Sequence, residues 1–104
     1  MIYSFTDGFP DQFGGERGKK YKYKQLKQFL LNIANEKEQD QVKALEKEFE
    51  QWKDALEQVD DVCILGVRVL WFILIKFQYI KQSTESLRVI AKHEQLYREA
   101  STTN

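Results

Sequence analysis

The chain has 104 residues, 42% of them apolar and 31% charged, a balance that suits one folded domain with a modest core and excludes a disordered chain. One histidine and one cysteine, Cys63, exclude an intramolecular disulfide and a zinc site built from Cys and His alone. The net charge is zero, but residues 1–35 carry six basic and three acidic side chains (+3), residues 36–61 four and ten (−6), and residues 62–104 six and three (+3). That alternation suits helix–helix complementarity or self-assembly at least as well as nucleic-acid binding.

Residues 1–18 read as an irregular N-terminal arm, punctuated by Gly8, Pro10, Gly14, Gly15 and Gly18. Tyr3, Phe5, Phe9 and Phe13 are interleaved with these breakers and need burial, either on the chain's own core or on a protein partner. They are the partner-binding candidates. From Lys19 to about Asn35 a helix is expected, because Leu26, Phe29, Leu30 and Ile33 fall at i, i+3, i+4 and i+7. Glu36 to Gln41 read as a polar connection, or as helix running straight through.

The clearest periodicity follows, in Val42, Leu45, Phe49, Trp52, Leu56 and Val59, with steps of three and four residues. Continued in register, this seam meets Cys63, Gly66, Leu70, Ile73, Phe77 and Ile80, and it predicts helices packed in a bundle. Residues 62–80 are the most apolar stretch. A core helix is preferred there over a strand, for which no strong partner strand stands out elsewhere. It is also preferred over a single-pass membrane span, because Arg68 at the centre would cost about 2.5–3.5 kcal/mol and Lys76 adds to that. Ser83 or Thr84 is placed to cap a last helix whose apolar face is Leu87, Ile90, Ala91 and Tyr97. The fold class expected is all-α: a small bundle of three to four helices over residues 19–100, behind the irregular aromatic and Gly-rich arm of residues 1–18. Residues 101–104 form a frayed tail. The start of the chain lacks the pattern of a secretory signal, which together with the lone cysteine points to a cytoplasmic location.

Arg17, Lys19, Lys20, Lys22, Lys24 and Lys27 form a basic run with Tyr21 and Tyr23 among them and no acid between Arg17 and Lys27. Lysine and arginine release counterions from phosphates, and tyrosine stacks on unpaired bases. These eight residues are the nucleic-acid-binding candidates. The competing explanation is a solvated helix start whose lysines face the acidic second helix. Gly14 to Lys19 looks superficially like a phosphate loop. However, Phe13 stands where the first glycine belongs and Lys20 where Ser or Thr belongs, so the motif is rejected.

Arg88 and His93, spaced Arg-x4-His, resemble the signature of HEPN-type ribonucleases, with Val89 a departure from the polar residue usual there. The resemblance implies metal-independent RNA cleavage, with the arginine stabilising phosphorane charge and the histidine moving the 2′-hydroxyl proton. The function expected first is instead a non-catalytic interaction module without cofactor or metal. It would be a small subunit or adaptor of a larger complex, nucleoprotein assemblies such as CRISPR effectors offering an outline analogy, or a phage- or plasmid-encoded inhibitor. A protein partner or self-association and contact with RNA or DNA are its expected interactions. The nuclease and the single-pass membrane protein are the alternatives.

Overall fold

The computed structural model describes residues 1–70 and 73–83. Strands and helices follow in the order β1 (Ile2–Phe5), β2 (Phe13–Gly14), β3 (Lys19–Lys20), α1 (Tyr23–Ile33), α2 (Glu38–Lys53), β4 (Val62–Leu70) and β5 (Ile73–Lys81). This is a mixed α/β fold with antiparallel sheets, and it overturns the all-α bundle. The main sheet has the order β1-β4-β5, while β2 and β3 make a small hairpin of their own.

The correction centres on residues 62–80. An apolar run without polar punctuation carries no decisive period, and the three-four steps of the seam pass through it by coincidence. Its enrichment in Val and Ile is the stronger signal, since branched side chains suit a pleated surface. The partner strand that seemed missing is the second half of the same run. Val62 pairs with Lys81, Ile64 with Tyr79 and Gly66 with Phe77, through to Leu70 opposite Ile73. A second partner comes from the arm. Ile2–Phe5 pairs with β4, from Ile2 opposite Val67 to Phe5 opposite Ile64, so residues 1–18 are partly strand rather than wholly irregular. Among the described residues, no helix is long and apolar enough to cross a membrane. The expected last helix and the tail lie outside the described residues.

Strand alternation divides the sheet into two faces. Tyr3 and Phe5 of β1, Val62, Ile64, Gly66 and Arg68 of β4, and Phe77 and Tyr79 of β5 face the helices, where all are buried or half-buried. Ile2, Cys63, Leu65, Val69 and Ile80 lie on the opposite face. Cys63, which the seam would bury in a helical core, is therefore half-exposed on the outside of the sheet. Arg68 is accommodated on the inner face because its charge is paired and it reaches backbone carbonyls. Its guanidinium donates to the carbonyls of Ala34 (3.1 Å) and Glu36 (2.8 Å) and pairs with Glu38 at 2.9 Å, tying the α1–α2 connection to the sheet.

Both helices contribute one apolar stripe. Leu26, Leu30 and Ile33 of α1 and Leu45 and Phe49 of α2 are buried in a common core with Phe9, Tyr21, Val62, Ile64, Phe77 and Tyr79. The α2 seam ends at Trp52, because Asp54 takes a positive φ of 48° at the helix end and Leu56 and Val59 beyond it are exposed. Phe9 packs edge-on against Tyr21 and Phe49 at centroid distances of 5.1 and 5.0 Å. The arm thus folds back onto the core. Gln12 and Gln41, both fully buried, staple the connections. Gln12 donates to the Glu57 carbonyl (2.9 Å) and accepts from the Val59 N–H (3.2 Å), while Gln41 accepts from Tyr3 Oη (2.6 Å) and donates to the Glu36 carbonyl (2.9 Å). Both satisfy the requirement that buried amides be hydrogen-bonded.

Two core tyrosines differ in a way that stability measurements resolve. Tyr21 Oη donates to Glu48 at 3.1 Å, whereas the Tyr79 hydroxyl is buried without a hydrogen-bond partner among the described residues. Burial and the nearby charges of Glu46 and Glu50 push the Tyr79 phenol up. An unpartnered buried hydroxyl carries a desolvation cost with no return. Tyr79→Phe is therefore expected to leave the protein equally stable or up to about 1 kcal/mol more stable, and Tyr21→Phe to cost about 1 kcal/mol. Urea denaturation of the two variants checks the contrast.

Candidate nucleic-acid interface

The basic run is laid out by three successive elements. Gly15 and Gly18 take positive φ values of 70° and 60°, and the Gly18 N–H closes the turn onto the Gly15 carbonyl at 3.3 Å. This sets Arg17 at the tip of the β2–β3 hairpin, with Lys19 and Lys20 on its return strand. The hairpin is anchored where the Gly15 N–H donates to the Trp52 carbonyl at 3.1 Å. At Gly14 a Cβ would come within 2.0 Å of that same carbonyl oxygen, so the close approach needs glycine. Lys22 then leads into α1, which carries Lys24 and Lys27 about 60° apart around its axis.

All six basic side chains of the run belong to exposed residues. Among the described residues only Lys20 has a carboxylate within ion-pair distance, Asp11 at 3.8 Å, and both of those side chains are about half exposed. Two of the five acidic residues of α2 are paired with cations outside the run. Glu38 pairs with Arg68, and Glu50 with Lys81 (2.5 Å) and Lys53 (3.8 Å); Lys81 holds the Glu50 carboxyl below its usual range. The internal charge complementarity between the first and second helices is therefore not what occupies these lysines.

The two tyrosines of the run part company. Tyr21 is 1% exposed, with its ring against Phe9 and Trp52, and is unable to stack on a base. Tyr23 is 44% exposed and lies beside Phe5 at 5.9 Å. Its hydroxyl donates to Asp7, and that bond, more than burial, pushes the phenol up to about 12. Of the four aromatic residues of the arm, Phe9 is in the core, Tyr3 and Phe5 are half-buried, and Phe13 is exposed, with Lys20 Nζ 5.9 Å from its ring centroid. Phe13 therefore joins the basic surface.

The structure adds two residues that the basic run alone does not single out. Gln25 and Gln28 line a shallow concavity of about 390 Å³ with Tyr21, Lys22 and Lys24. Their spacing within the run is the signal, since amides hydrogen-bond phosphates, sugars and base edges alike. The first turn of α1 holds no acidic residue, and no side chain caps it. Its unpaired N–H groups and the dipole favour an anion at this end. Arg88 and His93, the nuclease pair, lie outside the described residues. No group of three His, Cys, Asp or Glu side chains among the described residues is gathered to hold a metal ion.

Lys22 is the strained residue of this surface. Its φ of 80° and ψ of 150° fall in a region tolerated essentially only by glycine. The conformation is held by the Lys22 N–H bond to the Pro10 carbonyl (2.8 Å) and the Leu26 N–H bond to the Lys22 carbonyl (3.2 Å). Relief of strain worth about 1–3 kcal/mol exceeds the entropy that an added glycine costs, about 0.4–1 kcal/mol. Lys22→Gly is expected to stabilise the protein by about 1 kcal/mol, raising Tm by about 4–8 °C, while weakening nucleic-acid binding. Thermal melting and RNA anisotropy on the same sample read the two effects.

Neither family models, curated proteins nor solved structures match this chain.

Proposed function

We propose that this protein is a non-catalytic interaction module that contacts nucleic acid through the surface formed by the β2–β3 hairpin and the start of α1, as a small subunit or adaptor of a larger cytoplasmic assembly. One observation carries the reading. All six basic side chains between Arg17 and Lys27 are exposed, and five of them have no carboxylate partner among the described residues, while Glu38 and Glu50 of α2 are paired with other cations. Exposed cations without internal partners are what phosphate neutralisation requires.

Phe13 at the rim and the amides of Gln25 and Gln28 favour a single strand, whose unpaired bases an aromatic ring and amide groups can meet. A rigid duplex offers the same phosphates but no base faces. The test is fluorescence anisotropy of labelled single-stranded RNA over a salt series, with the recovered RNA run on a gel. Binding that weakens steeply with salt and leaves the RNA intact is expected. No binding at low salt removes the nucleic-acid role. Cleaved RNA replaces this reading with the nuclease.

A further inference from the structure

We propose that the groove between the open edge of β1 and the helix α1 binds an extended peptide of a partner protein by strand addition, the peptide alternating apolar side chains and carrying an acidic residue. This goes beyond the nucleic-acid reading and uses a different part of the molecule, with Lys27 the one residue shared.

β1 is the outermost strand of the order β1-β4-β5, and no strand of the described residues lies beyond it. Its hydrogen-bonding direction follows from one bond. The Thr6 N–H donates to the Cys63 carbonyl at 3.0 Å, continuing the register in which Phe5 opposes Ile64. Antiparallel pairs alternate between bonded and non-bonded, so Ser4 and Ile2 also turn their backbone groups toward β4. Tyr3 and Phe5 turn theirs to the open edge. Two N–H and two carbonyl groups are thereby presented at the spacing of a strand.

The same two residues direct their side chains inward, which gives the edge a floor. The Tyr3 ring is held by its hydroxyl bond to Gln41, and Phe5 by the ring of Tyr23. Across from them stand Leu30 and Leu31 of α1 and Ala34 just past its end, enclosing a groove of about 450 Å³. Leu31 is 69% exposed, the most exposed of the large apolar side chains described. A strand laid along β1 would place every second side chain over this groove, where Leu31 offers an apolar contact. Lys27, one helical turn before Leu31, is the single charged side chain lining it, and it selects an acidic neighbour. The edge is only four residues long, which suits a peptide segment rather than a broad protein face. The exposed apolar residues Leu65, Val69 and Ile80 lie on the outer face of the sheet, away from the groove.

Selection of short random peptides against the intact protein tests the proposal, followed by synthesis of the selected sequence and amide NMR of the isotope-labelled chain. Selected peptides are expected to alternate apolar residues, to include an acid, and to perturb the Tyr3 and Phe5 amides most. Leu31→Gln, a substitution at an exposed position, should weaken them about tenfold or more. Lys27→Glu should exchange the preference for an acidic peptide for its lysine counterpart. The idea is overturned if no peptide is selected, if selected peptides bind both variants as well as the parent, or if the perturbed amides lie at Leu65, Val69 and Ile80. RNA affinity of Leu31→Gln is expected to match the parent, so failure of this proposal and failure of the nucleic-acid reading remain distinguishable.

Discussion

Reversing Lys20, Lys22 and Lys24 together to glutamate is expected to lower affinity for single-stranded RNA by at least about 100-fold at low salt. The three residues lie within five positions of one another, from β3 across the strained junction to the first turn of α1. Each lysine that neutralises a phosphate of a single strand contributes about 0.7 to the slope of log K against log salt. Removing three therefore flattens the slope by about two, and the new carboxylates add repulsion. The loss should be nearly the same for any single-stranded sequence, because phosphate contacts carry no base information. The fold should survive, since the three side chains are exposed and only Lys20 has an ion pair, with Asp11. Glutamate at the start of α1 would also suit the helix dipole. A variant that remains folded and binds RNA as tightly as the parent would remove the basic surface from the function.

Gly66→Ala is expected to be the most damaging of the single methyl additions at the centre of the sheet, costing about 2 kcal/mol and lowering Tm by about 10 °C. Gly66 sits in the middle strand with Phe77 directly opposite on β5. The Phe77 ring lies across the space that a side chain would fill, so that a Cβ would stand 2.3 Å from its nearest carbon. That ring is 8% exposed and packs edge-on with Tyr3 at 6.3 Å, so it has little room to retreat. The cause is separable from a simple loss of β-structure. In a double-mutant cycle, Phe77→Leu alone should cost stability, yet added to Gly66→Ala it should recover part of the loss, with a coupling of about 1 kcal/mol. Strict additivity of the two changes would contradict the clash.

How much of this was legible depends on which residues carried the period. Leu26, Phe29, Leu30 and Ile33 mark α1, though it starts at Tyr23 rather than Lys19, which belongs to β3, and Val42 to Trp52 mark α2, because a one-sided apolar stripe among charges admits few alternatives. Beyond Trp52 the same steps mislead. Leu56 and Val59 fit the seam but are exposed in the connection to β4, and from Cys63 to Ile80 both faces of the chain are apolar, so spacing no longer separates helix from strand. The short strand β1 was harder still. Tyr3 and Phe5 alternate with Ile2 and Ser4, a pattern of only four residues beside a loop rich in glycine, and its meaning depends on pairing with β4, some sixty positions away. At the basic surface the cations were readable because charge needs no partner to be visible. The burial of Tyr21 was not, because it depends on Phe9 and Trp52 arriving from two distant segments. The groove beside β1 was out of reach for a similar reason, since it exists only once the sheet order and the strand register are known.

The most direct test of the central claim is a backbone amide shift map of the isotope-labelled protein titrated with a short single-stranded RNA at low salt. Perturbations concentrated between Arg17 and Gln28, fading as salt is added, are the expected result. A map that leaves this stretch unchanged, or that centres on the outer face of the sheet at Leu65, Val69 and Ile80, would contradict it.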